Sequence, residues 1–175
     1  MASRKIRTLF DAKAIAARNA ELVDEIKARK PESLLVIAVL KGSFVFAADL
    51  LRAMHAAGLA PHVEFIHLSS YREGTTSSGN VTILRDVESD VRGRDVLLVD
   101  DILESGRTLA FAKDLLAARG AKRVMTCVLL EKPGKRAVQI KADFVGFECP
   151  DVFVVGYGMD VAHSYRELPF VGVVE

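Results

Sequence analysis

Val96 to Leu109 reads VLLVDDILESGRTL, and the fold is decided there. Val96–Val99 is apolar at every position, the pattern of a strand buried on both faces in a parallel sheet covered by helices. Beyond the polar stretch from Asp100 to Thr108, Leu109, Ala112, Leu115 and Leu116 return at helical spacing until Gly120 closes the run. The same unit appears upstream. Ser33–Leu40 (SLLVIAVL) is a second continuous apolar strand, broken by Lys41-Gly42-Ser43. A helix then runs over Phe44–Ala57, with Ala47, Leu50, Leu51 and Met54 on one face and Gly58 at its C-cap.

Further out, Val63–Ser69 and Arg123–Leu130 read as two more strands, and Val81–Arg85 as a short one before a charged turn. Asp11–Lys30 is an amphipathic helix with Ala12, Ile15, Ala16, Leu22, Val23 and Ile26 on one face, capped by Asp11 and ended by Pro31. The tail, Asp143–Glu175, holds short apolar pieces separated by Gly and Pro. Strands alternating with helices predict an α/β domain with a mainly parallel sheet flanked by helices.

At 175 residues the chain fits one domain, 1–175, on a scale of ~100–200 residues per domain. Half of the residues are hydrophobic and 27% are charged, which excludes a disordered chain, a collagen-like chain and a disulfide scaffold. The net charge is +1, so no whole-molecule field draws the chain to nucleic acid or a membrane. Neither partner is expected. Cys127 and Cys149 sit in apolar surroundings and read as reduced, buried thiols. The N-terminus is basic without an apolar signal core, and the longest apolar run is far below the ~20 residues of a membrane helix, so the expected location is the cytoplasm.

Ligands of open parallel sheets bind beyond the carboxyl ends of the strands. Those ends carry Lys41, Ser69-Ser70-Tyr71, Asp100-Asp101 and Glu131-Lys132. The stretch from Ser105 to Thr108 opens a helix, whose first amides point out of its N-terminus. Gly106 permits close approach, Ser105 and Thr108 add hydroxyls, and Arg107 adds charge. Together they make a cradle for a phosphomonoester. Asp100 and Asp101 would repel that phosphate unless they serve sugar hydroxyls or a divalent metal. The combination points to a ribose 5-phosphate carrying Mg²⁺. Neither GxxxxGK[ST] nor GxGxxG is present. The four histidines (His55, His62, His67, His163) lack ligand spacing and read as structural.

Val96–Leu109 resembles the phosphoribosyl-diphosphate (PRPP) motif of type I phosphoribosyltransferases. Leu40-Lys41-Gly42-Ser43, Ser70-Tyr71 with its Ser/Thr/Gly loop, Leu130-Glu131-Lys132, and DVFVVGYGMD (Asp151–Asp160) followed by Arg166 resemble the hypoxanthine-guanine branch, in order and spacing. The resemblance implies the type I fold with a small hood from the N-terminal segment and the C-terminal tail. It implies transfer of the 5-phosphoribosyl group of PRPP to N9 of hypoxanthine or guanine, giving IMP or GMP and pyrophosphate in purine salvage. It also implies Mg²⁺ as cofactor and a homodimer or homotetramer.

Residue by residue, the resemblance assigns Lys41, Gly42 and Arg166 to pyrophosphate, with the Leu40–Lys41 bond often cis. Asp100 and Asp101 meet the ribose hydroxyls and the Mg²⁺ on PRPP, and the 5-phosphate lies on Glu104, Ser105, Gly106, Arg107 and Thr108. Asp160 matches a carboxylate near a second Mg²⁺ and the base. Lys132 donates to the purine O6, Phe153 stacks on the base, and Val154 contacts its edge through the backbone. An ammonium donates to a 6-oxo group and cannot accept from a 6-amino group, which favours 6-oxopurines over adenine. Ser70 and Tyr71 begin a mobile loop over about 70–80 that closes on PRPP and excludes water.

Glu104 departs from the family, which usually carries Asp at the position facing purine N7, where it acts as general base or acid. Glu is one methylene longer. Either the loop shifts to keep the carboxylate in reach, or the proton transfer goes elsewhere, and geometry decides before pKa does. Rival readings are a phosphoribosyltransferase preferring xanthine or a pyrimidine, and an RNA-binding attenuator of the same fold. The last needs a broad basic surface that the nearly neutral charge does not supply.

Overall fold

The computed structural model describes residues 4–70 and 80–175. Most of the expected mobile loop, Tyr71 included, lies outside the described residues. Ser70 ends a strand and is exposed.

In chain order the elements are β1 (Ile6–Phe10), α1 (Ala12–Ala28), β2 (Leu35–Leu40), α2 (Phe44–Ala56), β3 (His62–Ser70), β4 (Val81–Arg85), β5 (Asp95–Leu103), α3 (Arg107–Ala118), β6 (Arg123–Glu131), β7 (Phe144–Glu148), β8 (Val154–Val155) and β9 (Val171–Val174). A single 3₁₀ turn follows β6 at Pro133–Lys135. The main sheet has the order β4-β3-β2-β5-β6-β7. All of its pairings are parallel except β3–β4.

The continuous apolar runs of β2 and β5 have a simple cause. Alternate side chains of a strand point to opposite faces, and here both faces are covered. Val36, Ala38, Leu97 and Val99 join Ile15, Leu22, Phe46 and Leu50 of α1 and α2 in one core. Leu35, Ile37, Val39, Val96 and Leu98 join Leu109, Ala112 and Leu116 of α3 in the other. The result is a sheet between two helical layers, as the sequence predicts. Its edge strand β7 comes from the first apolar piece of the tail. The other two pieces, β8 and β9, pair antiparallel and continue onto β1 as a small second sheet.

The N-terminus of α1 is capped by Asp11, whose carboxylate accepts from the Ala14 amide at 2.8 Å. Its buried stripe is Ile15, Asn19, Leu22, Val23 and Ile26. Ala12 and Ala16, expected on that stripe, are instead exposed and line an open cavity of about 820 Å³ between α1, α2 and Leu168-Pro169. Asn19 takes their place because it has a polar partner there, donating to the Tyr157 hydroxyl at 3.1 Å. That hydroxyl in turn donates to Asp49 of α2, so one buried phenol ties α1, α2 and the tail together. Burial, then the Asp49 carboxylate beside it, pushes the Tyr157 phenol well above its ordinary pKa. Cys127 and Cys149 are both free and buried, and burial pushes the Cys127 thiol far up. Among the described residues no helix is long and apolar enough to cross a membrane.

Candidate active site

β5 carries its acidic pair inside the strand, at the carboxyl end of the sheet. The Asp101 amide donates to the Asp100 carboxylate at 2.9 Å, and the Ile102 amide to Asp101 at 2.8 Å. Asp100 is buried. Burial, reinforced by the Asp101 charge beside it, holds its carboxyl well above the usual carboxylate range. A cation placed against these two oxygen donors would relieve that cost.

The chain then turns through Glu104 and Ser105 into α3. Gly106 stands at the N-cap with φ of 83°, the left-handed region that favours glycine, and provides no side-chain cap. The helix therefore presents its first turn to solvent with only the Ser105 hydroxyl engaged, accepting from the Arg107 amide at 3.3 Å. The segment after β6 backs this turn. Lys132 and Ala137 amides donate to the Leu103 and Ser105 carbonyls (2.9 and 2.8 Å), and the Arg136 guanidinium donates to the Glu104 carbonyl at 2.9 Å. The turn is thus fixed by main-chain bonds on one side and open on the other.

At the end of β2 the Leu40–Lys41 peptide is cis, the isomer implied by the resemblance. A Cβ on Gly42 would lie 2.0 Å from the Asp101 carboxylate, so only glycine fits against the acidic pair. Arg166 donates to the Gly158 carbonyl at 2.6 Å and pairs with Asp160 at 3.2 Å. The second Asp160 oxygen accepts from the His163 amide at 2.8 Å. Lys132 is buried just beyond β6, Val154 is buried, and Phe153 is 58% exposed.

These residues line three cavities, two of which share part of their lining. One of about 240 Å³ lies over the turn from Asp100 to Thr108 and reaches Lys41 and Gly42. A second, of about 380 Å³, shares Lys41, Gly42, Asp101 and Ile102 with it and continues to Phe153, Val154, Asp160 and Arg166. Lys132 borders a third, of about 390 Å³, together with Lys135, Cys149 and Asp151. The larger apolar cavity beside α1 touches Arg166 but none of the acidic pair. Asp160 is not drawn into one cluster with Asp100 and Asp101. Among the described residues no three His, Cys, Asp or Glu side chains gather to hold a metal. Sequence reading passed over Lys135, Arg136 and Asp151, although Lys135 pairs with both Glu104 and Asp151 (3.7 and 3.1 Å) and Arg136 pairs with Glu131 at 2.7 Å. The basic run Lys132-Pro-Gly-Lys-Arg136 was the available signal.

Residues 6–162 match the phosphoribosyl transferase domain model. The chain is 43% identical to the hypoxanthine phosphoribosyltransferase of Salmonella typhimurium, over 97% of this chain and 95% of that protein. It is 44% identical to the hypoxanthine-guanine phosphoribosyltransferase of Bacillus subtilis, over 93% of this chain and 87% of that one. A crystal structure of a hypoxanthine-guanine phosphoribosyltransferase from Bacillus anthracis superposes with a TM-score of 0.91 at 41% identity, covering 99% of this chain and all (100%) of that one.

Proposed function

The chain belongs to the phosphoribosyl transferase domain family, and from that premise we propose that it transfers the 5-phosphoribosyl group of PRPP to N9 of hypoxanthine and of guanine, forming IMP or GMP and releasing pyrophosphate. The observation that carries the reading is continuity. The cavity over the β5–α3 turn and the cavity lined by Phe153 share Lys41, Gly42 and Asp101, which supports a connected path for phosphate, ribose and the stacked face of the base.

In this reading the first-turn amides of α3, with the Ser105 and Thr108 hydroxyls, hold the 5-phosphate, and Arg107 adds charge at the same end. Asp100 and Asp101 orient the ribose hydroxyls. Lys41, Gly42 and Arg166 receive the pyrophosphate as the C1′–O bond breaks and the N9–C1′ bond forms. Glu104 takes the purine N7 proton in the same step. Lys132 donates to O6, Phe153 stacks on the ring, and the Val154 backbone meets its edge. Asp160 holds Arg166 in orientation. Among the described residues no third such side chain joins Asp100 and Asp101, and a pair of carboxylates suits Mg²⁺, which binds through one or two carboxylates plus substrate phosphates and water. Asp100 and Asp101 would hold it, and when bound it neutralises charge on the departing pyrophosphate. A homodimer or homotetramer completes the proposal.

The test is formation of IMP from PRPP and hypoxanthine, followed with and without Mg²⁺. Turnover that requires the metal supports the reading. No turnover with hypoxanthine, guanine or xanthine overturns it.

A further inference from the structure

The longer acid at position 104 needs something to hold it. Glu has one more rotatable bond than Asp, so its carboxylate samples more positions and loses more rotamer freedom when fixed. Proton transfer demands reach within about 2.6–3.2 Å of the purine nitrogen. The turn fixes only the Glu104 backbone, through the bond from Arg136 to its carbonyl. The second guanidinium arm of Arg136 is taken by Glu131, so Arg136 does not serve the Glu104 carboxylate.

Lys135 does. It stands in the 3₁₀ turn after β6, 3.7 Å from a Glu104 carboxylate oxygen and 3.1 Å from an Asp151 oxygen. Asp151 lies two residues before Phe153, the proposed stacking ring. One ammonium therefore spans the proposed proton acceptor and the strand lead that carries the base wall. Asp151 first, and then Glu104, raise the Lys135 pKa, which favours its charged ammonium form.

We propose that Lys135 is a positioning residue, which through its bridge to Asp151 holds the extended Glu104 carboxylate at the purine site and compensates for the extra methylene. This rests on the reading that Glu104 exchanges a proton with the base. The pair is exposed and adds little to stability, so its removal leaves the fold intact and changes turnover instead.

The experiment compares four proteins by steady-state IMP formation: the unsubstituted chain, Lys135→Ala, Glu104→Asp, and the two combined, with Lys135→Arg as the conservative control. Asp at position 104 withdraws the carboxylate by about 1.5 Å, one C–C bond, and so weakens the 3.7 Å pair with Lys135. Displacing a reacting group by such a distance costs on the order of tenfold to a hundredfold in rate. The expected result is a kcat loss of about that size for Lys135→Ala, with the KM for PRPP changed less than about twofold. Lys135→Arg restores most of the rate, and Lys135→Ala changes kcat less than about twofold when Glu104 is already Asp. An equal loss in both backgrounds, or no loss in either, overturns the proposal. So does failure of the Arg control to restore the rate. Complete inactivity of the unsubstituted chain would instead overturn the function on which the proposal rests, and the proposal with it.

Discussion

Two sides of the same site are built differently. The proposed phosphate side is a contiguous stretch, Asp100–Thr108, running from the end of β5 into the first turn of α3 and backed by main-chain bonds from Lys132 and Ala137. The proposed base side is assembled from three separate places: the end of β6, the lead from Cys149 to Phe153, and the tail through Arg166. It is held by side-chain pairs such as Asp160–Arg166 and Lys135–Asp151. In the proposed reading the 5-phosphate common to every phosphoribosyl donor rests chiefly on main-chain amides, helped by the Ser105 and Thr108 hydroxyls, and main-chain donors change little on substitution. A group that varies between purines is met by side chains, which can be retuned one at a time.

That contrast can be broken by substitution. Glu104→Gln, on the phosphate side, should lower kcat with hypoxanthine and guanine alike, by the ~10²–10⁴-fold typical of a lost general base. Steady-state rates with both bases check this, and a loss confined to one base would place Glu104 with the base wall. Gly42→Ala forces a methyl onto the Asp101 carboxylate and should cost roughly 10²-fold for both bases, since displaced groups lose about that much. Lys132→Met should act on the base side only. Loss of the O6 donor should reduce kcat/KM for hypoxanthine by ~1–3 kcal/mol while the KM for PRPP stays put. Phe153→Ala should raise base KM by about fivefold to tenfold, the worth of one stacking contact near ~1 kcal/mol, with kcat nearly unchanged.

The smallest expected effect concerns stability. The Asp100 carboxyl is raised above its unfolded value by burial and by Asp101. A raised carboxyl binds more protons in the fold than in the unfolded chain, so the fold loses stability as pH rises from about 4 through the higher folded pKa. Asp100→Asn removes that loss and keeps the acceptor for the Asp101 amide. Without ligand it should raise stability at neutral pH by about 0.5–2 kcal/mol while activity falls, the trade expected at a strained site. Denaturant melts at pH 4 and pH 7.5 check the sign: the gain should be larger at pH 7.5.

The phosphate side was legible because its chemistry and its secondary structure share one run of residues. Four apolar positions, Val96–Val99, announce a strand buried on both faces, and Gly106 announces the helix that follows. The base side was legible only through resemblance. Phe153 alone reads as a core residue, yet it is 58% exposed. What escaped was long-range. Ile6–Phe10 is a strand because Val171–Val174 pairs with it from the far end of the chain. Ala12 and Ala16 fit a helical stripe but face a cavity, because periodicity counts spacing and not what stands opposite. Lys135 and Asp151 form an exposed pair across sixteen residues, and no local pattern marks such a pair.

The most direct test of the central claim is a crystal structure with IMP bound. The 5-phosphate should lie on the amides of Ser105 to Thr108, the ribose against Asp100 and Asp101, and the base between Phe153 and Lys132. A nucleotide seated in the apolar cavity beside Ala16 and Leu168, or anywhere away from that turn, would contradict the account.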